Sequence, residues 1–176
     1  LPQNINAKIL VDKPDPAKDV DGFCDNSDFT PPIAEAAVAI LELVSKDNGR
    51  NDFRKWLTSK NIVVLGKGET GGKPIAEKLK KLGLTPTIID SKTENPTEIT
   101  RNGDIVISCV GKKDVLKSEN IKAGAILLSI GMFRGEDGKL HGDYDEHDIK
   151  DKASYYTPVP GGVGPVNVAM LLKNLV

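Results

Sequence analysis

The feature that most narrows the choice of fold is an apolar run that empties directly into glycines. Ile62-Val63-Val64-Leu65 leads into Gly66-Lys67-Gly68-Glu69-Thr70-Gly71, then Gly72-Lys73-Pro74 and a helix-forming stretch as far as Leu82. The pattern G-x-G-x-x-G between a strand and a helix has a steric meaning. Its first glycine permits a tight turn, its second lets backbone approach a pyrophosphate, and its third lets the helix pack close to the strand. The helix amino end adds N–H groups and a positive dipole. Gly66, Lys67, Gly68, Thr70 and Gly71 are therefore candidate cofactor-binding residues.

Beyond this loop, β-rich runs at 61–65, 85–90, 104–109 and 123–130 alternate with helical ones such as Ile75 to Leu82. Strands spaced by helices argue for crossovers onto a parallel sheet. Ile62 to Leu65 and Ile126-Leu127-Leu128 are continuously apolar, as expected when both sheet faces are covered. The predicted fold is α/β, a Rossmann-like doubly wound, mostly parallel sheet with helices on both faces. A linker helix is predicted over 33–44, after Pro31-Pro32, and a carboxyl-terminal helix from near residue 165. Residues 1–32 read as loops with a short helix around Ala7 to Leu10, and Asp137-Gly138 reads as a turn within a hairpin or surface excursion.

The second strand of the unit, Thr85 to Asp90, ends in a carboxylate where dinucleotide folds place the acid that hydrogen-bonds a ribose. Asp90 is open to two readings, a ribose acceptor or the cap of a turn. A carboxylate here accepts the 2′-hydroxyl of NAD and repels the 2′-phosphate of NADP, whereas Lys67 and Lys92 would neutralise one.

A second glycine-rich segment, Thr157-Pro158-Val159-Pro160-Gly161-Gly162-Val163-Gly164-Pro165-Val166-Asn167-Val168-Ala169, precedes the last helix. A plain connector needs one or two such residues. Here, several glycines let backbone press against a flat ligand, and Pro165 suits a first helical turn.

This segment resembles the Pro-Val-Pro-Gly-Gly-Val-Gly-Pro-Met-Thr-Val-Ala signature of the bifunctional methylenetetrahydrofolate dehydrogenase/cyclohydrolase family, with Val166-Asn167 in place of Met-Thr. Other stretches agree. Gly66 to Pro74 is similar to the family's Gly-Arg-Ser-x-x-Val-Gly-x-Pro, and Asp90-Ser91-Lys92-Thr93 to its His-Ser-Lys-Thr. Lys18-Asp19-Val20-Asp21-Gly22-Phe23 resembles its folate loop, Ser108-Cys109-Val110-Gly111-Lys112 its Val-Gly-Lys strand end, and Ile130-Gly131-Met132 its Val-Gly-Ile.

The resemblance implies a role for each. Lys67 and Ser91 lie by the adenosine ribose; Cys109, Val110, Gly111, Ile130, Gly131, Met132 and Asn167 border the cofactor; Asp21, Gly164 and Pro165 meet the folate. Core packing is the competing role for Cys109 and Ile130, and Asp19 and Asp21 are also ordinary shapers of a glycine turn. The implied cofactor is NADP or NAD and the implied substrates are tetrahydrofolate derivatives. The implied reactions are oxidation of 5,10-methylenetetrahydrofolate and hydrolysis of the product to 10-formyltetrahydrofolate. A homodimer is implied in the same way.

The family's catalytic Tyr-x-x-x-Lys has no counterpart, and Leu1-Pro2 matches a later Gln-Leu-Pro segment. The chain is therefore expected to be the cofactor-binding part of a larger enzyme, inactive alone. Residues 1–32 would be a remnant of the catalytic, folate-binding domain, and 33–176 the NAD(P)-binding domain. Departures at Ile33, Phe133 and Asn167 weaken transfer there. The competing readings are a stand-alone dinucleotide-binding module of structural or regulatory role and, further off, a Rossmann oxidoreductase of another kind.

Composition trims the remaining classes. Twenty-four basic and 25 acidic residues, a pI near 6.2 and interspersed charges provide no field for nucleic acid or an anionic membrane. No apolar run reaches membrane-spanning length and no secretory signal is evident, so the expected location is the cytoplasm. Cys24 and Cys109 have no partner at metal spacing and are expected to be reduced thiols, while His141 and His147 read as surface residues.

Overall fold

The computed structural model describes residues 15–24 and 26–176; the expected helix around Ala7 to Leu10 and the Leu1-Pro2 match lie outside them. Helix α1 is Pro32–Asp47, where Pro32 opens the first turn, an alanine-rich stretch sustains it and Gly49 at φ +66° ends it. Helix α2, Phe53–Thr58, starts under an Asp52 cap whose carboxylate accepts from Lys55 N at 2.9 Å. Strand β1, Ile62–Leu65, feeds the glycine loop and α3, Gly72–Lys81. Then come β2, Thr87–Ile89, α4, Pro96–Arg101, and β3, Ile105–Ser108. The chain continues through β4, Ile126–Ser129, the hairpin strands β5, Met132–Arg134, and β6, Leu140–Gly142, then α5, Glu146–Ile149. It finishes with β7, Tyr155–Tyr156, and α6, Val163–Asn174.

Five strands form one parallel sheet in the order β2-β1-β3-β4-β7, with β5 and β6 paired antiparallel beside it. All four residues of β1, β3 and β4 are buried, and alternate side chains enter opposite layers. Ile62 and Val64 join Ala37, Leu41, Leu57, Ile75 and Leu79 under α1, α2 and α3. Val63 and Leu65 join Leu116, Ile121, Tyr144 and Ile149 on the other face. Each fully buried Leu or Ile contributes about 1.5–3 kcal/mol, which explains why the strands tolerate no polar alternation. The expected doubly wound α/β architecture is the one observed.

The chain leaves β1 for β2 on one side and returns to β3 on the other, so the sheet reverses direction between β1 and β3. In open α/β sheets a crevice opens at that point, beyond the carboxyl ends of the strands. Alongside, α1 packs on both α3 and α6, and Lys78 Nζ of α3 meets Glu35 Oε1 of α1 at 2.6 Å in a half-buried pair.

Several elements differ from the sequence reading. Helices α2, α4 and α5 were not expected, the last helix starts at Val163 rather than near 165, and β7 is a two-residue strand with no run of its own. Its place is set by Tyr144, whose hydroxyl donates to Thr157 O at 2.7 Å and accepts from Thr157 N at 3.1 Å. Burial pushes the Tyr144 phenol well above its ordinary range, so the group stays a neutral donor. Removing it takes the donor from the buried Thr157 carbonyl, while Thr157 N keeps its bond to Leu127 O at 3.1 Å. Tyr144→Phe is expected to lower unfolding free energy by about 1–3 kcal/mol, seen in urea as a lower midpoint with an unchanged slope.

Candidate functional site

Three loops meet along the carboxyl edge of the sheet. Gly66 turns out of β1 at φ +88°, and a Cβ there would lie 2.9 Å from Cys109 O. Its N–H donates to Ile89 O at 2.8 Å, which draws the loop over the end of β2. The role of the third glycine falls to a neighbour of the predicted one. Any side chain on Gly72 would collide with the Gly66 carbonyl, whereas a Cβ on Gly71 would meet Cys109 Cβ at an ordinary 3.4 Å. Gly72 is therefore the position that lets α3 press against the strand end, and Gly71 caps the helix. Around Gly68, by contrast, a Cβ would find no heavy atom within 4 Å among the described residues. An open lip in front of a ten-residue helix amino end suits a pyrophosphate, so this loop fits a dinucleotide.

Asp90, just beyond β2, caps a turn and pairs with a lysine. Its Oδ1 accepts from Lys92 N at 2.9 Å and from the Thr93 hydroxyl at 3.2 Å, capping a turn, while Oδ2 pairs with Lys67 Nζ at 2.6 Å. The bond from Lys67, then the Lys92 amide, lowers its pKa from 3.8 to about 2. Lys67 is thus engaged rather than free, and Ser91 is exposed beside the pair.

The second loop follows β3. Cys109 N donates to Leu65 O at 2.8 Å, and the thiol lies under Gly71, 3.8 Å from the position of a Cβ there. Burial, with the nearby Asp143 charge, pushes this thiol up to about 12, so it is an inert wall of the site. Ile130 Cγ2 lies 3.7 Å from where a Cβ on Gly71 would be, and both Cys109 and Ile130 also pack on the core. Val110 and Met132 are exposed, at 37% and 53%, on the same edge.

The organiser of this loop was missed in the sequence. Asp143 is fully buried, and its carboxylate accepts from Ser108 Oγ, Val110 N, Gly111 N and Lys112 N at 2.5, 3.0, 2.7 and 2.9 Å. A side chain on Gly131 would strike Gly111 N and this carboxylate, which explains the glycine. The only sequence signal was an aspartate after a glycine in a polar stretch, with its donors about thirty residues away.

The third loop runs from Thr157 to Gly162. Gly162 packs against Pro158 O and Thr157, while Gly161, at φ +106°, and Gly164 face open space among the described residues. The loop is thus anchored at one glycine and open at two. Gly164 and Pro165 are exposed, and Asn167 Oδ1 is buried without a hydrogen-bond partner among the described residues. The β1 and β7 loops share one edge, with β3 and β4 between them, which spans about 14 Å at the usual strand spacing.

The Asp21 loop is held elsewhere. Asn174 Nδ2, at the far end of α6, donates to Val20 O at 2.8 Å and Thr30 O at 3.2 Å, about 14 Å along the helix from Pro165. Within that loop the two acids divide their work. Asp19 is buried and accepts from Cys24 N at 2.7 Å; burial raises its pKa, but bonds from Cys24, Phe23 and Ser27 outweigh that and hold it below the usual value. Asp21 is exposed. His141, expected as a bare surface residue, stacks on Phe133 and pairs with Asp137 at 2.9 Å.

Comparison with known proteins agrees with this geometry. The family model for the tetrahydrofolate dehydrogenase/cyclohydrolase NAD(P)-binding domain matches residues 35–176. The chain belongs to this family. It is 39% identical over 185 residues to the bifunctional protein FolD of Lactococcus lactis, covering all of this chain and 62% of that protein. Among solved structures, the bifunctional enzyme FolD of Campylobacter jejuni superposes with a TM-score of 0.85 at 33% identity, over 99% of this chain and 62% of the other. The Trypanosoma brucei methylenetetrahydrofolate dehydrogenase-cyclohydrolase, solved with NADP cofactor and inhibitor, superposes at 0.81 with 32% identity and the same coverage. The chain therefore spans about three-fifths of the length of these relatives, and its fold and cofactor class are those of the family's NAD(P)-binding domain.

The depressed Asp90 pKa makes a signed prediction. A carboxylate lowered from 3.8 to about 2 contributes stability that is present above 3.8 and lost as pH falls through about 2. Carboxyl carbon shifts followed by NMR should place the Asp90 midpoint near 2, and Lys67→Met should move it upward toward 3.8.

Proposed function

We propose that this chain supplies the cofactor-binding half of an enzyme that oxidises 5,10-methylenetetrahydrofolate to 5,10-methenyltetrahydrofolate with NAD(P) and hydrolyses the product to 10-formyltetrahydrofolate. The observation that carries the reading is the tight Gly66–Gly72 turn at the point where the sheet reverses, in a chain of this family. A dinucleotide held by this turn would supply the nicotinamide as hydride acceptor for the substrate carbon. The chain's own groups bind and orient: the α3 amino end takes the pyrophosphate, and Asp90 with Lys67 meets the adenosine ribose. Cys109, Val110 and Ile130 wall the crevice against water, and the Gly161–Pro165 turn leaves flat room beside it.

Asp21 is the group that meets the folate ring in this reading. Its neighbour Asp19 is consumed in folding the loop, which leaves Asp21 as the exposed carboxylate of that turn. The chain carries no counterpart of the family's Tyr-x-x-x-Lys, so proton transfer is assigned to no residue here, and the two expected domains, 1–32 and 33–176, remain part of the proposal. A homodimer and a cytoplasmic location belong to the same reading.

Calorimetric titration of the chain with NAD and with NADP tests the cofactor assignment, and an assay with 5,10-methylenetetrahydrofolate tests turnover. Binding of a dinucleotide with negligible dehydrogenase activity is expected; absence of binding would remove the reading. Asp90 also bears on selectivity, because an ionised carboxylate opposes a 2′-phosphate. Asp90→Asn is expected to favour NADP relative to NAD by about tenfold, and an unchanged ratio would remove any selective role.

A further inference from the structure

We infer that Asp143 is a positioning residue that fills, from inside the protein, the anion-binding hollow formed by the Val110, Gly111 and Lys112 amides, so that the backbone of this loop meets a dinucleotide through acceptors and apolar surface instead of amide N–H donors. The inference rests on the dinucleotide reading above and assigns the two halves of that ligand to different loops.

Three consecutive peptide N–H groups curling round one point make a concavity that elsewhere captures phosphate. Here Gly111, at φ +70°, supplies the left-handed residue that lets the three amides converge. Their focus is the Asp143 carboxylate, at 3.0, 2.7 and 2.9 Å. Ser108 Oγ completes the set at 2.5 Å. The aspartate is itself fixed, because its N–H donates to Ser129 Oγ at 2.9 Å and its carbonyl accepts from Leu116 N at 2.9 Å. It is fully buried, and Gly131 leaves no room for a side chain between it and Gly111.

Two consequences follow for a ligand. The amide donors of three successive peptides are already used, so the backbone of the loop offers carbonyl oxygen, beside the exposed Val110 and, on β5, the exposed Met132. The buried negative charge keeps a second anion out of the amide hollow, while the loop's cations, Lys112 and Lys113, extend outward into solvent. Phosphate is left to the Gly68–Gly72 turn, and the loop after β3 suits a neutral, donor-bearing part of the ligand such as sugar hydroxyls or a carboxamide.

Amide-resolved NMR of the whole chain separates these roles. Added sodium pyrophosphate should shift the amides of Gly68 to Gly72 and leave those of Val110, Gly111 and Lys112 unmoved and slow to exchange, whereas NAD should perturb the Val110 methyl groups. Asp143→Asn should weaken NAD by about tenfold while ADP, which reaches the glycine turn and the Asp90–Lys67 pair but not the loop after β3, binds as before. Ser108→Ala, which removes one donor to the same carboxylate, should show the same selective loss at smaller size if the first variant fails to fold. Pyrophosphate shifts at Val110 to Lys112 would overturn the proposal, as would equal losses for NAD and ADP or no loss in either variant. Silence of the Gly68–Gly72 amides toward both ligands would overturn the dinucleotide reading itself, and the proposal with it.

Discussion

The carboxyl edge of this sheet depends on a buried negative charge that makes four hydrogen bonds. Asp143 joins the loop after β3 to the hairpin after β4, and Ser129 and Tyr144 extend the same network to Thr157 and the last glycine turn. A carboxylate out of contact with water is tolerated only when its lone pairs are satisfied. Here all four donors come from residues 108–112, about thirty residues back in the chain, so one carboxylate ties the loop after β3 to the hairpin after β4.

Glycines act on the same edge by a different physical route. Gly72, Gly131 and Gly162 occupy places where a Cβ would meet backbone or the buried carboxylate, so they set how closely elements approach. Gly68, Gly161 and Gly164 face open space among the described residues. The two kinds lie side by side. Close packing holds the loops in position.

The Lys67–Asp90 pair belongs to neither kind. Its side chains are held at 2.6 Å at the outer end of the crevice, where water and ligand compete with them. Such an exposed pair adds little to stability, and it joins the glycine loop to the turn after β2.

Most of the fold was legible from the chain because strand burial on both faces demands unbroken apolar runs, as in Ile62 to Leu65 and Ile126 to Leu128, and because glycine spacing marks a turn locally. The glycine loop, Asp90, the long helix after Pro31-Pro32 and the family were all readable for that reason. The strand Tyr155–Tyr156, the assignment of close packing to Gly72 instead of Gly71, and Asp143 were not. Each is decided by partners thirty or so residues away or by a neighbour less than an atom's width off, and no local pattern encodes such contacts. The sequence by itself determined which elements form and which loops are glycine-rich, since propensity and burial are properties of short stretches; only the tertiary structure decided which amides remain open to a ligand, since that depends on where a distant carboxylate comes to rest.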